Sequence, residues 1–141
     1  MKLAIAVLLV CDAGCLPDYF PRRPTNRWID EAQLIGSWAA IGKHTPTRLQ
    51  DGNRLQFATE MEIKNSGVCV VRWPDAPTVI GKWGLLHDSI GAGGDTEKNV
   101  LQMRIVDGVV TEFSISVENG HLALWRYIGD PDSREFIEFR K

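Results

Sequence analysis

The sequence predicts an all-β domain: about eight antiparallel strands in a meander that closes into a small up-and-down barrel, with a two-sheet β-sandwich as the alternative. Three observations predict it. Apolar residues recur at every second position through most of residues 30–141. Turn signals such as Asp107-Gly108 and Asn119-Gly120 separate the alternating runs at short intervals. No long helical period lies between them. Alternation marks strands with one dry face and one wet face, and a meander removes its exposed edges most completely by closing on itself.

Taken in order, Asp30 is placed to cap a short helical turn over Glu31-Ala32-Gln33-Leu34. Residues 36–43 form a first strand, and 44–53 a polar loop with the turn signal Asp51-Gly52-Asn53. Residues 54–64 give the clearest strand, with Leu55, Phe57, Met61 and Ile63 on one face and Arg54, Gln56, Glu60, Glu62 and Lys64 on the other. Asn65-Ser66-Gly67 turns the chain into a strand over 68–73. The stretch Pro74-Asp75-Ala76-Pro77 breaks the pattern before a strand over 78–86. Residues 87–98, with Gly91-Ala92-Gly93-Gly94-Asp95, read as a flexible loop. Strands over 99–106 and 109–117 flank Asp107-Gly108, a dipeptide suited to the positive φ of a tight hairpin. On the second of these, Phe113, Ile115 and Val117 alternate with Glu112, Ser114 and Ser116. Strands over 121–128 and 134–140 complete the barrel domain, residues 30–141.

Residues 1–14 read as a signal sequence: Lys2 supplies positive charge, and Leu3 to Val10 are continuously apolar. Ala13-Gly14-Cys15 resembles the end of a bacterial lipobox, which implies export, lipid attachment at Cys15 and anchoring to a membrane. Asp12 departs from the aliphatic residue usual three places before such a cysteine. Leu16 follows the cysteine where Asp would signal inner-membrane retention, so the resemblance implies the outer membrane, facing the periplasm. Residues 15–29, with Pro17, Pro21 and Pro24 among Arg22, Arg23 and Arg27, read as an extended tether.

With a net charge of −2, the chain lacks the basic footprint of a nucleic-acid binder. Of its 3 cysteines, Cys11 lies in the signal sequence and Cys15 is the expected lipid-attachment residue at the start of the tether. Cys69, in the apolar run Val68-Cys69-Val70-Val71, reads as a small core residue or, if Cys15 is retained and unmodified, as its disulfide partner. His44, His87 and His121 show no metal-ligand spacing, so no metal or cofactor is expected. No nucleophile elbow or phosphate-binding glycine pattern is present, so no catalytic residue is assigned. A strand length near seven residues argues against a barrel that crosses a membrane, which needs about nine to eleven.

Gly36-Ser37-Trp38, opening the first strand after a helical turn, resembles the Gly-x-Trp signature of lipocalins and the wider calycin superfamily. Gly81-Lys82-Trp83-Gly84, Leu122-Ala123-Leu124-Trp125 and Phe139-x-Lys141 are similar to short bacterial lipocalin-like domains. The resemblance lacks a Thr-Asp-Tyr element. It implies that Trp38 lies at the closed end beneath a basic residue, Arg140 first and Lys141 second. It also implies a non-enzymatic envelope binding protein carrying a small apolar ligand, with Phe57, Met61, Trp83, Leu85, Met103, Phe113 and Leu124 lining the interior. If these large side chains fill the interior instead, the role moves to the surface: a protein partner, as for an inhibitor or immunity lipoprotein against an envelope-directed enzyme.

Overall fold

The computed structural model describes residues 24–41, 58–91, 94–105, 110–127 and 136–141. Cys15, Phe57, the sequence-predicted loop over 44–53 and the Asp107-Gly108 turn lie outside them. A short helix α1 (Glu31–Leu34) precedes strands β1 (Gly36–Ala40), β2 (Glu60–Ile63), β3 (Val68–Trp73), β4 (Ala76–Ile90), β5 (Thr96–Arg104), β6 (Val110–Glu118), β7 (His121–Tyr127) and β8 (Phe136–Arg140). They form a closed antiparallel barrel in sequence order. The seam is β1 against β8, with Ala39 opposite Arg140 and Ala40 opposite Phe139, extended by the Ile41 N–H donating to Glu138 O at 2.9 Å. The sandwich alternative is thereby excluded.

Local chemistry explains the elements. The Asp30 N–H donates to Gln33 Oε1 at 3.0 Å, and the Gln33 N–H returns to Asp30 O, which fixes the single turn of α1. Asn119 and Gly120 both adopt positive φ, 50° and 80°, as a primed two-residue hairpin requires. Between β3 and β4 the register shifts at Val71/Trp73. Pro77 falls in that irregularity, so its missing N–H does not interrupt the regular ladder.

The inward face carries Trp38, Met61, Ile63, Cys69, Val71, Leu101, Met103, Phe113, Ile115, Leu124 and Phe139, each no more than 1% exposed. Outward positions of the same strands carry Ser37, Glu60, Glu62, Lys82 and Arg104. The apolar face thus points in, opposite to the outward apolar band of a membrane-crossing barrel.

Two expectations change. The loop expected over 87–98 is largely strand, because β4 runs on to Ile90 and stays paired with β5 as far as Ile90 opposite Thr96. Glycines at 91 and 94 mark only the tip; they do not melt the arms of the hairpin. The tether expected to extend to residue 29 ends earlier. Ile29 is 1% exposed and belongs to the core, and the Thr25 N–H donates to Ile115 O at 3.0 Å. Residues 24–29 are a strap across the end of the barrel where β1 begins.

Met61→Asp should unfold the domain, since it strands a charge in the core. Glu60→Lys, exposed on the other face of β2, should change stability by no more than about half a kcal/mol in urea titration. Equal sensitivity at the two positions would contradict the register.

Candidate functional site

Of the residues expected to line a ligand cavity, Met61, Met103, Phe113 and Leu124 are fully buried, Trp83 is nearly so and Leu85 is half-buried. They do meet in one cluster. Phe113 and Phe139 contact edge to face, with centroids 5.9 Å apart. The Trp83 indole N–H donates to Lys64 O at 2.8 Å, which pins its ring against the β2–β3 turn. Side chains lining a hollow would remain accessible to water; most of these are not. Among the described residues the interior is packed.

The closed end is built on Trp38. Its indole N–H donates to Leu34 O at 2.9 Å, so α1 and β1 are locked together. The basic residue over its ring is Lys141, with Nζ 5.4 Å from the centroid and donating to Gln33 O at 2.6 Å. Partial burial lowers the pKa of this amine. Gly36 has φ +137°, a conformation that side chains resist, and a Cβ there would meet Lys141 Cε at 3.2 Å. The Gly-x-Trp motif therefore makes room for a cation above its own tryptophan.

Arg140, the first choice from sequence for that position, does not fill it. Successive strand residues face opposite sides, and Arg140 faces out. Its Nε donates to Glu138 Oε1 at 2.7 Å, and its Nη2 pairs with Glu118 Oε2. Arg140 stands opposite Ala123 of β7, whereas Glu118 belongs to β6. The guanidinium thus reaches across β7, over the small Ala123 side chain.

A second cluster, not anticipated from sequence, fastens the strap. Asn99 is 1% exposed on the inward face of β5. Its Oδ1 accepts from the Ile29 N–H at 2.9 Å, and its Nδ2 donates to Arg27 O at 2.7 Å. Trp28 lies flat on His87, centroids 4.0 Å apart, with Lys98 Nζ 5.1 Å from the Trp28 ring. Nearby, Glu97 is buried, and its Oε1 accepts from Ser114 Oγ at 2.8 Å, while Oε2 has no partner. The carboxyl group lies directly against the α-carbon of Gly91, where no side chain fits. Burial raises the Glu97 pKa, the Ser114 bond lowers it, and Asp95 raises it further. Ser114 and Ser116, expected to be wet, are fully buried, and Ser114 bonds the Glu97 carboxyl group. The signal for this cluster is polar residues at 97 and 99 in the inward phase of β5, four and two positions before Leu101.

The described residues contain no group of three or more His, Cys, Asp or Glu side chains placed to hold a metal. Cys69 is a buried free thiol whose pKa burial pushes up to about 11, so it is not a ready nucleophile; Cys15, its alternative disulfide partner from sequence, lies outside the described residues. Compared with known protein families, with curated proteins and with solved structures, the chain matches none. The closed eight-stranded meander is compatible with a lipocalin-like fold.

Trp38→Leu and Lys141→Ala should couple by about 0.5–1 kcal/mol in a double-mutant cycle read by denaturant midpoint, whereas Trp38→Leu and Arg140→Ala should add independently. Glu97 has a raised folded pKa, so the folded state binds the extra proton. Stability should be greatest below the ordinary carboxylate range and fall as pH rises through the folded pKa. Glu97→Gln should flatten that fall and raise the melting temperature at pH 8 more than at pH 4. An unchanged pH profile would mean that the carboxylate is solvated.

Proposed function

We propose that the protein is a non-enzymatic binding domain of the cell envelope that works through its outer surface. Its partner is an envelope protein, as for inhibitor or immunity lipoproteins. The observation that carries this reading is the packed interior: Met61, Met103, Phe113 and Leu124 are fully buried by protein. A cavity for even a small apolar ligand needs about 300 Å³ or more, and these side chains occupy the place where it would lie. Carriage of an apolar ligand, the first expectation from sequence, is for that reason the weaker reading.

Export and anchoring rest on the sequence: the apolar run Leu3 to Val10 and the lipobox-like Ala13-Gly14-Cys15. The barrel would stand in the periplasm on the outer membrane, joined to lipid on Cys15 through residues 16–23. The strap supports this arrangement. Pull on the anchor would reach the barrel at Asn99 and Ile115, on β5 and β6, before it reached α1.

Native mass spectrometry of the protein from its own host tests the packed-interior reading. The expected mass is that of the chain plus its covalent lipid; a stoichiometric, non-covalent apolar adduct would restore the ligand carrier. Cys15→Ser should move the protein from the membrane to the soluble envelope fraction, and unchanged fractionation would refute the anchor.

A further inference from the structure

The two faces of a barrel wall should differ in exposure, and on one wall of this barrel they do not. Phe113 and Ile115 of β6, Leu124 of β7 and Phe139 of β8 point into the core. Side chains alternate along a strand, so Ser114, Ser116, Ala123, Trp125 and Glu138 point outward, as does Val100 beside Leu101 on β5. All six are nevertheless buried: Val100, Ser114 and Ser116 are 0% exposed, Trp125 5% and Glu138 8%. They are neighbours, since Ser114 stands opposite both Val100 and Trp125, Ser116 opposite Ala123, and Trp125 opposite Glu138. The wall made by β2, β3 and β4 behaves differently: there Ile80, also outward, is 71% exposed. Arg140 lies over Ala123, and Tyr127 meets Trp125 edge-on with centroids 5.7 Å apart. A buried tryptophan with buried neighbours on three adjoining strands needs more cover than those two contacts give.

The path of the chain narrows what that cover is. The strap meets this wall at β6, where the Thr25 N–H donates to Ile115 O at 3.0 Å, between Ser114 and Ser116. Immediately upstream lies Leu16-Pro17-Asp18-Tyr19-Phe20-Pro21-Arg22-Arg23. Eight extended residues span about 26 Å. From β6 to β8 is two strand spacings, about 10 Å. The chemistry also matches. Tyr19 and Phe20 are suited to a surface of Val100, Ala123 and Trp125. The outward positions of β6, β7 and β8 carry Glu112, Glu118 and Glu138 against Arg140, an acidic balance that favours Arg22 and Arg23. Ser116 Oγ and Trp125 Nε1 are buried there with no hydrogen-bond partner among the described residues. An extended proline-containing segment has no ladder of its own, so it brings spare carbonyl oxygens to such a place. We infer that residues 16–23 lie across the outer face of β6, β7 and β8, with Tyr19 and Phe20 against Trp125 and the two arginines toward the glutamates.

The segment is then an outer layer of the barrel and not a free spacer. It occupies the β6–β8 wall, which leaves the wall carrying Ile80 open to a partner. The inference rests neither on the proposed function nor on a lipid at Cys15, because it concerns only where the chain ahead of the strap is held.

Oxidative footprinting of the full chain carrying Cys15→Ser, which cannot be acylated, tests the inference, with the oxidation of each tryptophan read by mass spectrometry. Trp28, 49% exposed, should react readily, Trp38 in the core should not, and Trp125 should be protected as Trp38 is. Replacing Tyr19→Ser and Phe20→Ser together should raise the Trp125 rate several-fold, toward that of Trp28, while Trp38 stays protected and so reports an intact barrel. Arg22→Glu with Arg23→Glu should act in the same direction, less strongly. Deleting residues 1–14 should leave Trp125 protected. A Trp125 that reacts readily in the parent chain would overturn the proposal. So would protection that survives the Tyr19 and Phe20 substitutions, which would assign the cover to another part of the chain such as residues 128–135. Loss of protection on deleting residues 1–14 alone would overturn it too, by assigning the cover to the signal sequence. If Trp38 becomes reactive together with Trp125 in the aromatic variant, the barrel has unfolded, and the arginine variant decides: unchanged protection of Trp125 there would refute the contact.

Discussion

Everything in this fold depends on a short seam. β1 and β8 are joined at Ala39–Arg140 and Ala40–Phe139, and that contact turns an open meander into a closed surface. A sheet of this size left open would expose two edges and one apolar face. Closure buries the face against itself and places residues from opposite ends of the sequence side by side. Lys141 can lie over Trp38 only because the seam exists. On the other side of β8, its pairing with β7 sets Arg140 opposite Ala123, which the guanidinium spans to reach Glu118 on β6. These half-exposed charges add little energy by themselves; their geometry follows from the β6–β7–β8 registers.

The closed interior is small, and the chain fills it with large side chains. That choice bears on function more than any single residue. Met61, Met103, Phe113, Leu124 and Phe139 belong to one buried cluster, and the reading of the barrel as a surface-binding domain rests on it. Polar chemistry is displaced to the end of the barrel where β1 begins. Asn99 commits its amide to the backbone of the strap, and Glu97 is held under Ser114 against Gly91. Buried polar groups of this kind stabilise only while they are paired. They make the position of the strap specific rather than merely sticky.

Strand β4 is the irregular member. It outruns β3, so its lower half is stabilised by β5 alone and by the stack of Trp28 on His87. Two-stranded ribbons are marginal in water without such cover. The strap and the extended hairpin therefore support each other: the hairpin supplies Asn99 and His87, and the strap supplies Ile29 and Trp28. Among the described residues, no strand pairs with the far side of β4 beyond Trp83.

Strand count, antiparallel order, the inward phase of β2, β5, β6 and β7, and the helical turn capped at Asp30 are all legible in the sequence. Each of these is local: period two, a turn dipeptide, a capping residue. The sequence also brings Gly36, Trp38 and a terminal basic residue together correctly, but favours Arg140 over Lys141. The two-residue phase of β8 separates them: Ile137 and Phe139 face in, so Arg140 faces out and Lys141 continues the inward phase, whereas the placing of β8 beside β1 that brings Lys141 over Trp38 joins residues too far apart in sequence for a local pattern to encode. The strap is illegible for a related reason. Prolines and arginines describe how a segment behaves alone, whereas Ile29 and Trp28 are ordered by Asn99, His87 and Lys98, all from the distant hairpin. Long-range pairing likewise decides the fate of residues 87–98. Their glycines favour a loop, and the ladder with β5, together with the strap laid against it, makes most of them strand.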